Sequence, residues 1–542
     1  MNTAIFCIYA VVALVAIVFL SLREFHMLQL NGYKTPEHSW WMKKNYKRYI
    51  YNVILLIAYV LYFFGAVEFS NTDTGISDKQ SGISIPFAIV LILTGIVFII
   101  ANKPGKKFKK PLVYTARVKR MLTTFFILIA VAFGVSAWFV SFLGFGNYIS
   151  YMIIGCTLCL TPILVPLSNL INKPVEKAVQ NWYINDAKKI LKSMPGLHKV
   201  GITGSFGKTS MKFYLSELLN SQYNTLKTPE SFNTPMGVTI TVRRDLKPTH
   251  EYFVCEMGAR RVGEIAELCG IASPHDGIIT SVGPQHLETF KSIENVAKTK
   301  FELADSISPL GKILLNGDNE IIREKSVDYP NAVLYGTHED CGYRADDISV
   351  SDKGTSFTVT APDGGTCRYT TKLLGEHSVL NLTGAIAYCN LCAGIALEKL
   401  VLPVKRIASV PHRLQLIDAG PDLCYIDDAY NSNPSGSKCA LDVLSLFDAC
   451  RILVTPGMVE LGAKQEELNC EFGRQASKVC DYVALVGKMQ TEPIYKGLVE
   501  AGFPQEKIFV ASTLGEALDK VKAYPTDKKK VVLLENDLPD NY

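Results

Sequence analysis

Five long apolar runs fill most of the first 172 residues, and they constrain the fold of this chain more than any other feature. A helix needs about 20 mainly apolar residues to cross a bilayer, and each run is close to that length. The first run has no preceding Lys or Arg, so we interpret it as a retained helix rather than a cleaved signal peptide. The sequence therefore predicts an α-helical membrane region over 1–172 with about five spans, roughly 3–22, 49–68, 85–101, 121–143 and 148–171.

The positions of Lys and Arg predict the orientation of these spans, because cytoplasmic loops are enriched in both residues. Residues 23–48 carry six of them, and residues 102–120 carry eight with no acid. The segment 68–82 has one lysine against three acids, and the turn at 145–147 is uncharged. We therefore expect an N-terminus outside the cell, a multi-pass protein of the cell membrane, and cytoplasmic domains after Asn172.

The cationic loops leave two interpretations open. In the first they are only topology signals. In the second, Lys106 to Lys110 and Lys43 to Arg48 also bind anionic lipid headgroups or a pyrophosphate-linked lipid substrate. The spans contain almost no ionisable residue, which argues against an ion path and hence against a transporter. We expect no nucleic-acid partner.

Cysteine usage does not indicate a metal site. Fourteen cysteines are scattered along the chain. The pairs Cys156 with Cys159 and Cys389 with Cys392 have Cys-x-x-Cys spacing but lie in apolar stretches without a nearby histidine. We interpret them as small apolar side chains in a reducing cytosol, not as zinc ligands.

A glycine loop between a buried strand and a helix is the first feature that carries chemistry. A linker helix is expected over 173–196, then a strand at Val200–Ile202, then the loop TGSFGKTS. Glycines let backbone N–H groups approach phosphate, and a lysine at the helix start neutralises the terminal phosphates. A strict Walker A loop would have glycine where Ile202 stands. The loop is a compact variant that predicts nucleotide binding by Thr203, Gly204, Ser205, Gly207, Lys208, Thr209 and Ser210.

Further motifs follow this loop in a fixed order. They are TPESFNTPMGVTITV (228–242), YFVCEMGARRVGEI (252–265), ITSVGPQHLETFKSIENVAKTKFEL (279–303), ILLNGDNE (313–320), GEHSVLNLTGAIA (375–387), PHRLQ (411–415), IDDAYNSNP (426–434) and GMVELG (457–462). Together they resemble the ATP-dependent Mur ligases, most closely the type that adds D-alanyl-D-alanine to a muramyl peptide. The resemblance covers roughly 196–535. It implies an α/β fold with a central P-loop domain over 197–404 and a Rossmann-like C-terminal domain over 405–542.

The resemblance implies transfer of the ATP γ-phosphate to a carboxylate, followed by attack of an amine on the acyl phosphate. Such a site concentrates negative charge and needs metals and cations. It implies two Mg²⁺ ions, the first held by Thr209 and Glu256 and the second by His286. Because Mg²⁺ prefers oxygen ligands, the family adds one by carbamylating a lysine. Lys300 matches that lysine, with Lys298 as the alternative.

Several positions resemble residues that contact the nucleotide in the family. Asn316, Asn381 and His377 match adenine-side and inter-domain positions. Ser378 departs from the pattern, because the family often has Asn there.

Two further groups match the family pattern. Arg413 and Asp428 resemble C-terminal-domain residues that close over the nucleotide, with Arg413 on the γ-phosphate and Lys438 as a weaker addition. Asn233 and Thr234 would face the acceptor carboxylate, although an Asn-Thr-Pro triplet is equally typical of a plain turn.

The resemblance has two gaps, since five helices replace the family's UDP-binding domain and no KGSR-like segment follows KVVLLEN. We predict a membrane-anchored, ATP- and Mg²⁺-dependent amide ligase. It would add an amino acid or a dipeptide such as D-Ala-D-Ala to a carboxylate of a cell-wall peptide precursor, lipid-linked or UDP-linked. The alternatives are a membrane-linked γ-glutamyl or polyglutamate ligase of the capsule type and a nucleotide-binding scaffold without ligase activity.

Overall fold

The computed structural model describes residues 2–71, 92, 93, 96, 100, 111–142, 148–230, 232–285, 287–429, 433–459 and 461–537. The chain forms two compact units, one within residues 1–180 and the other within residues 181–538. In its described residues the first unit is helical, and the second contains two β-sheets with helices between their strands.

The first unit contains helices of membrane-spanning length. Over the described residues, three helices are both long enough and apolar enough to cross a membrane. They are Ile8–Leu30, Ala116–Trp138 and Met152–Lys192. They match the first, fourth and fifth predicted spans. The second predicted span, 49–68, lies in a helix at Ile50–Asn71, whereas most of the third, 85–101, lies outside the described residues. The structure therefore supports three apolar spans and does not confirm the count of five.

The last apolar run and the predicted linker helix form one continuous helix, with no break at residue 172. This helix ends at Lys192, shortly before the Pro195-Gly196 pair that cannot extend it. The described helices of the region are α1 (Asn2–Leu30), α2 (Thr35–Lys44), α3 (Ile50–Asn71), α4 (Ala116–Phe142) and α5 (Tyr148–Lys192).

Two arginines at the start of α4 are held by partners inside the first unit. Arg120 Nε lies 2.7 Å from Glu176 Oε1. Arg117 donates to Asn169 Oδ1 at 3.0 Å, and its guanidinium lies 4.0 Å from the centre of the Tyr33 ring. Two of the eight cations counted in 102–120 therefore join helices to each other.

The second unit begins with a nine-stranded sheet. Its strands are β1 (His198–Thr203), β2 (Thr225–Lys227), β3 (Tyr252–Glu256), β4 (Asp276–Ile279), β5 (Ile313–Asn316), β6 (Ala332–Gly336), β7 (Tyr343–Ser351), β8 (Gly354–Thr360) and β9 (Thr366–Thr371). They lie in the order β2-β3-β1-β4-β5-β6-β7-β8-β9, parallel up to β7 and antiparallel from β7 to β9.

The parallel part of this sheet is buried on both faces, as its continuous apolar strands require. Along β3, Val254 packs into the core on one face, whereas Phe253 and Cys255 pack into the core on the other. The helices are α6 (Lys208–Leu219), α7 (Pro235–Asp245), α8 (Glu264–Ala272), α9 (Leu287–Phe290), α10 (Ile293–Asp305), α11 (Glu320–Ser326), α12 (Glu376–Leu391) and α13 (Val401–Arg406).

A six-stranded sheet follows in the same unit. Its strands are β10 (Gln415–Asp418), β11 (Leu423–Asp428), β12 (Cys450–Thr455), β13 (Tyr482–Val486), β14 (Ile508–Ala511) and β15 (Lys530–Glu535), in the order β10-β11-β15-β12-β13-β14. All neighbours are parallel except β10 and β11. Its helices are α14 (Pro434–Ser445), α15 (Gln465–Ser477), α16 (Lys488–Glu500) and α17 (Leu514–Ala523). Both sheets have the α/β architecture expected from the sequence.

Candidate functional site

The glycine loop joins the end of β1 to the start of α6 at the carboxyl edge of the nine-stranded sheet. Gly204 and Gly207 have φ angles of +153° and +80°, which L-residues with side chains rarely adopt. A Cβ on Gly207 would lie 2.8 Å from Asn381 Oδ1, and one on Gly204 would collide with Thr280. The loop therefore approaches its neighbours so closely that only glycine fits at these two positions.

The residues after β4 fix the shape of this loop. Ser205 N donates to the Ser281 carbonyl at 2.8 Å, and Phe206 N donates to Ser281 Oγ at 2.7 Å. Ser205 Oγ donates to the Gly283 carbonyl at 3.1 Å. The loop is thus held in shape by hydrogen bonds to a neighbouring strand end, which is the preorganisation that an anion cradle needs.

Lys208 is the first residue of α6, and its side chain folds back onto the loop. Its Nζ donates to the carbonyls of Gly204 at 2.6 Å and Ser205 at 2.9 Å. Burial lowers the Lys208 pKa to about 8, the nearby Glu256 carboxylate opposes this shift, and Arg413 adds to it. Arg413 lies in the region that leads into the second sheet, so a cation from that part of the unit acts electrostatically on Lys208.

Glu256 ends β3 beside the loop, because β3 pairs with β1 and sets Glu256 opposite Ile202. Its side chain is 1% exposed. Oε1 accepts from Thr209 Oγ1 at 3.2 Å and from Asn233 Nδ2 at 3.0 Å, and Oε2 lies 2.9 Å from Lys212 Nζ. Burial alone would raise the Glu256 pKa, but Lys212 and Lys208 outweigh it and leave the pKa below its usual value.

The Thr209 hydroxyl and the Glu256 carboxylate fit a Mg²⁺ ion. Adjacent ligands of octahedral Mg²⁺, at about 2.1 Å from the metal, are about 3.0 Å from each other. The observed 3.2 Å between Thr209 Oγ1 and Glu256 Oε1 is close to that separation, and Glu256 is ionised at neutral pH. Among the described residues, groups of three or more His, Cys, Asp or Glu with metal-site geometry are absent. The hydroxyl, phosphate and water oxygens typical of Mg²⁺ sites do not require such a group.

Two family models match this part of the chain. The Mur ligase middle domain matches residues 202–389, and the Mur ligase glutamate ligase domain matches residues 412–535, together more than half of the chain. The chain belongs to the Mur ligase family.

Curated relatives and solved structures agree with this assignment. The UDP-N-acetylmuramoyl-tripeptide–D-alanyl-D-alanine ligase of Bacillus subtilis is 32% identical over 306 residues, covering 56% of this chain and 65% of the relative. The Escherichia coli ligase of the same name is 32% identical over 299 residues, covering 53% and 64%. The structure of MurF ligase from Thermotoga maritima in complex with ADP has a TM-score of 0.60 and 26% identity, covering 66% of this chain and 80% of that one. The chain spans about 65% of the length of the curated relatives that it matches.

The two lysines considered for the Mur ligase carbamate differ sharply in burial. Lys300, on α10, is 1% exposed, whereas Lys298 is exposed. Burial, reinforced by the charge of Lys208, lowers the Lys300 pKa well below its usual value. A neutral amine is the form that reacts with CO₂, so the environment favours Lys300 over Lys298. His286, the proposed partner for the second metal, lies outside the described residues.

Asn233 and Thr234 have different surroundings. Asn233 reaches Glu256, and its carbonyl accepts from Gly258 N at 2.9 Å. Thr234 Oγ1 instead accepts from Gly237 N at 3.3 Å and caps α7. The structure therefore brings Asn233 into the site and gives Thr234 the turn role that the sequence left open.

The two asparagines matched to nucleotide positions also hold the framework. Asn316 Nδ2 donates to the Thr280 carbonyl at 2.8 Å, so it braces the end of β4. Asn381, on α12, lies against Gly207 and donates to the His377 carbonyl at 3.0 Å. Burial lowers the His377 pKa to about 4, so this imidazole is neutral at physiological pH.

Ser210 and Thr203 are the two ends of the predicted loop. Burial raises the Tyr214 pKa to about 12, although hydrogen bonds with Ser378 and Ser210 oppose this shift. Thr203 Oγ1 donates to the Met257 carbonyl at 3.0 Å and ties β1 to the residue after Glu256.

Arg413 sits in a strained turn before β10. His412 and Leu414 on either side have φ angles of +59° and +43°, an uncommon region for residues with side chains. Leu414 N donates to Asp428 Oδ1 at 3.2 Å, which fixes the turn against β11. Burial raises the Asp428 pKa to about 6, although Arg413 pulls it down. Arg413 thus acts electrostatically on both Asp428 and Lys208.

Lys438 and Lys212 differ from what the sequence indicates. Lys438 is exposed on α14 and lies 3.8 Å from Asp442 of the same helix, so the structure gives it no place in the site. Lys212 was not predicted, yet it is the closest cation to Glu256. Its position one helical turn after Lys208, on the same face of α6, is a signal that could have identified it.

Proposed function

We propose that this chain is a membrane-anchored, ATP- and Mg²⁺-dependent amide ligase that adds an amino acid or a dipeptide such as D-Ala-D-Ala to a cell-wall peptide precursor. The observation that carries the proposal is the cluster of Lys208, Thr209 and Glu256 around a preorganised glycine loop, with the buried Lys300 near Lys208. The Mur ligase matches over both domains support the same reaction class. The named relatives support D-Ala-D-Ala as the amine.

The reaction has two covalent steps. An oxygen of the acceptor carboxylate attacks the γ-phosphorus of ATP, which releases ADP and gives an acyl phosphate. The amine then attacks the carbonyl carbon, phosphate leaves with that oxygen, and the nitrogen loses a proton to give the amide. When bound, Mg²⁺ neutralises phosphate charge near Thr209 and Glu256.

The residues of the chain contribute charge and position. Lys208 turns from the loop carbonyls to the phosphates, and its lowered pKa rises again beside that negative charge. Arg413 is assigned to the γ-phosphate, where its charge-assisted hydrogen bonds would strengthen as charge develops. Asn233 bridges Glu256 and the loop before α7, and places its amide at the acceptor side of the site.

Lys300 is proposed to carry the carbamate. The neutral amine attacks CO₂, a C–N bond forms, and one proton is released to solvent, so a neutral group becomes an anion. The carbamate would place a negative charge near Lys208 and would supply an oxygen ligand for the second metal. The burial of Lys300 and its depressed pKa support this assignment over Lys298.

The proposal also includes membrane anchoring and a lipid-linked acceptor. The three apolar helices support insertion. The cationic segment 102–120 supports contact with a headgroup phosphate. Because Arg117 and Arg120 have partners among the helices, the exposed Lys119 and the lysines at 103–110 are the cations assigned to this contact.

The test is to incubate the purified protein with ATP, Mg²⁺ and pairs of carboxylate and amine while measuring ADP. Release that requires both a muramyl-peptide acceptor and D-Ala-D-Ala supports the proposal. Release with glutamate as the amine would favour the polyglutamate alternative. Nucleotide binding without ADP release for any pair would favour the scaffold. Lipid-linked and UDP-linked forms of the acceptor, compared on the same preparation, identify the carrier.

A further inference from the structure

Lys212 is buried beside the carboxylate of Glu256, the proposed metal ligand. It lies on α6 one turn after Lys208 and is 3% exposed. Lysine is seldom buried to this degree unless its charge is paired. Here Nζ lies 2.9 Å from Glu256 Oε2 and also donates to the carbonyl of Glu230.

The two oxygens of Glu256 have separate tasks because of this pair. Oε2 faces Lys212, which leaves Oε1 toward Thr209 and Asn233. A carboxylate can rotate about its terminal bond, so the position of one oxygen sets that of the other. An ammonium on Oε2 therefore fixes which oxygen is presented to the Thr209 hydroxyl.

Lys212 also reaches the loop that follows β2. Glu230, whose carbonyl it binds, has a φ of +37°, and Asn233 lies three residues further along the same loop. At the other end, Thr228 Oγ1 accepts from Glu256 N at 3.1 Å. Residues 228–234, the acceptor-side loop, are thus tied to Glu256 by Thr228, by Asn233 and through Lys212, and of these three Lys212 carries a positive charge.

We infer that Lys212 is a positioning residue that orients Glu256 toward the metal and couples the acceptor-side loop to it. The inference rests on the proposed ATP and Mg²⁺ site. In this role Lys212 acts through Glu256, because its Nζ contacts Oε2 while Oε1 faces Thr209. Its removal should leave the glycine loop intact and weaken only what depends on the orientation of Glu256.

The experiment measures the affinity of the full-length protein for a β,γ-methylene ATP analogue by calorimetry, with and without Mg²⁺. Lys212→Met removes the charge and keeps the length of the side chain. We expect the Mg²⁺-free affinity to stay within threefold of the unmodified protein and the gain in affinity from Mg²⁺ to fall at least tenfold. Peptides that contain Glu230 and Asn233 should exchange amide hydrogens at least threefold faster.

The matched control is Lys227→Met, because Lys227 lies 2.9 Å from Glu217 in the same domain but outside the site. It should change neither the Mg²⁺ effect nor the exchange of these peptides. Lys212→Arg, which keeps the charge, should recover most of the Mg²⁺ effect. If Lys212→Met does not fold, Lys212→Gln takes its place with the same expected result.

A Mg²⁺ effect that survives intact in a folded, neutral Lys212 variant would overturn the positioning role. Absence of any Mg²⁺ effect in the unmodified protein would instead overturn the metal site and this inference with it. The two failures are therefore distinguishable in one set of titrations.

Discussion

Glu256 and Asp428 are two carboxyl groups at the carboxyl ends of parallel strands, one in each sheet, and their pKa values shift in opposite directions. Burial acts on both and disfavours the charged form. At Glu256 two lysines outweigh it, so the pKa is lowered. At Asp428 the single nearby arginine does not outweigh burial, and the pKa rises to about 6. The difference shows that the number of nearby cations, more than burial, decides which carboxyl is ready to hold a metal.

A neighbouring carboxylate helps to explain why the charge of Asp428 is less well compensated. Asp427 directly precedes Asp428 on β11, and β11 pairs with β15 so that Asp428 lies opposite the buried Glu535. Burial raises the Asp428 pKa most, and the charge of Asp427 raises it as well, whereas the hydrogen bond with Glu535 lowers it. Asp428 therefore has one nearby carboxylate that opposes its ionisation, whereas Glu256 has two nearby lysines that favour its ionisation.

The largest effect is expected from Lys208→Ala. It removes the cation of the phosphate loop and one of the two charges that lower the Glu256 pKa. ADP formation should fall by at least about a thousandfold, because positioned cations are among the largest contributions to such catalysis. Circular dichroism should match that of the unmodified protein. Unchanged turnover in a folded variant would refute the nucleotide site.

The next effect concerns the third lysine of this cluster. Lys300→Ala should lower turnover by about a hundredfold or more, and acetate or another short carboxylate should restore part of it by supplying an oxygen ligand. Lys298→Ala is the matched control, since Lys298 is exposed on the same helix and should remain within twofold. The reverse ranking of the two variants would assign the carbamate to Lys298.

A pair of neutral substitutions compares the two carboxyls directly. Glu256→Gln should lower the stability at pH 7 by about 3 kcal/mol, because it leaves Lys212 buried without its partner. Asp428→Asn should raise the stability at pH 8 by about 1 kcal/mol, because it removes a poorly compensated charge. Thermal unfolding of both variants between pH 4 and pH 8 measures these differences.

The two pH dependences should have opposite signs. The Glu256 pKa is lower in the folded protein than in the unfolded chain. Its contribution to the stability is therefore present above pH 4.5 and is lost as pH falls through the folded pKa. The Asp428 pKa is higher in the folded protein. Its contribution to the stability is therefore present below pH 3.8 and is lost as pH rises through about 6. Parallel pH curves for the two variants would remove the contrast.

The smallest effect is expected from Lys438→Ala. Lys438 lies on the exposed face of α14, where its only described ion pair is the 3.8 Å contact with Asp442. Surface pairs of this kind contribute little, so turnover should stay within twofold and the stability within about 0.5 kcal/mol. Steady-state ADP formation checks the first value. A tenfold loss of turnover would mean that the second sheet supplies a further cation to the phosphates.

Sequence patterns predicted the parts of the molecule that depend on local order. The strand, glycines and Lys-Thr pair at 200–211 predicted the glycine loop with Lys208. The ordered motifs, through their resemblance to the Mur ligases, predicted the α/β domains and the role of Glu256. Lys212 escaped because a lysine on a helix is usually solvated, and only tertiary structure shows that β3 brings Glu256 above it. The sequence left Lys300 and Lys298 as alternatives for the same reason. Which face of α10 is buried depends on the elements that pack against it. The continuity of α5 through Pro174 was likewise invisible to a rule that starts a new helix at proline.

The central claim, that the chain makes an amide through an acyl phosphate, is tested most directly by isotope transfer. The acceptor is labelled with ¹⁸O in its reacting carboxylate, and the inorganic phosphate released during amide formation is examined by mass spectrometry. The account predicts one ¹⁸O atom in each phosphate, because that oxygen attacks the γ-phosphorus and leaves with it. Amide formation with unlabelled phosphate, or ATP turnover without amide, would contradict it.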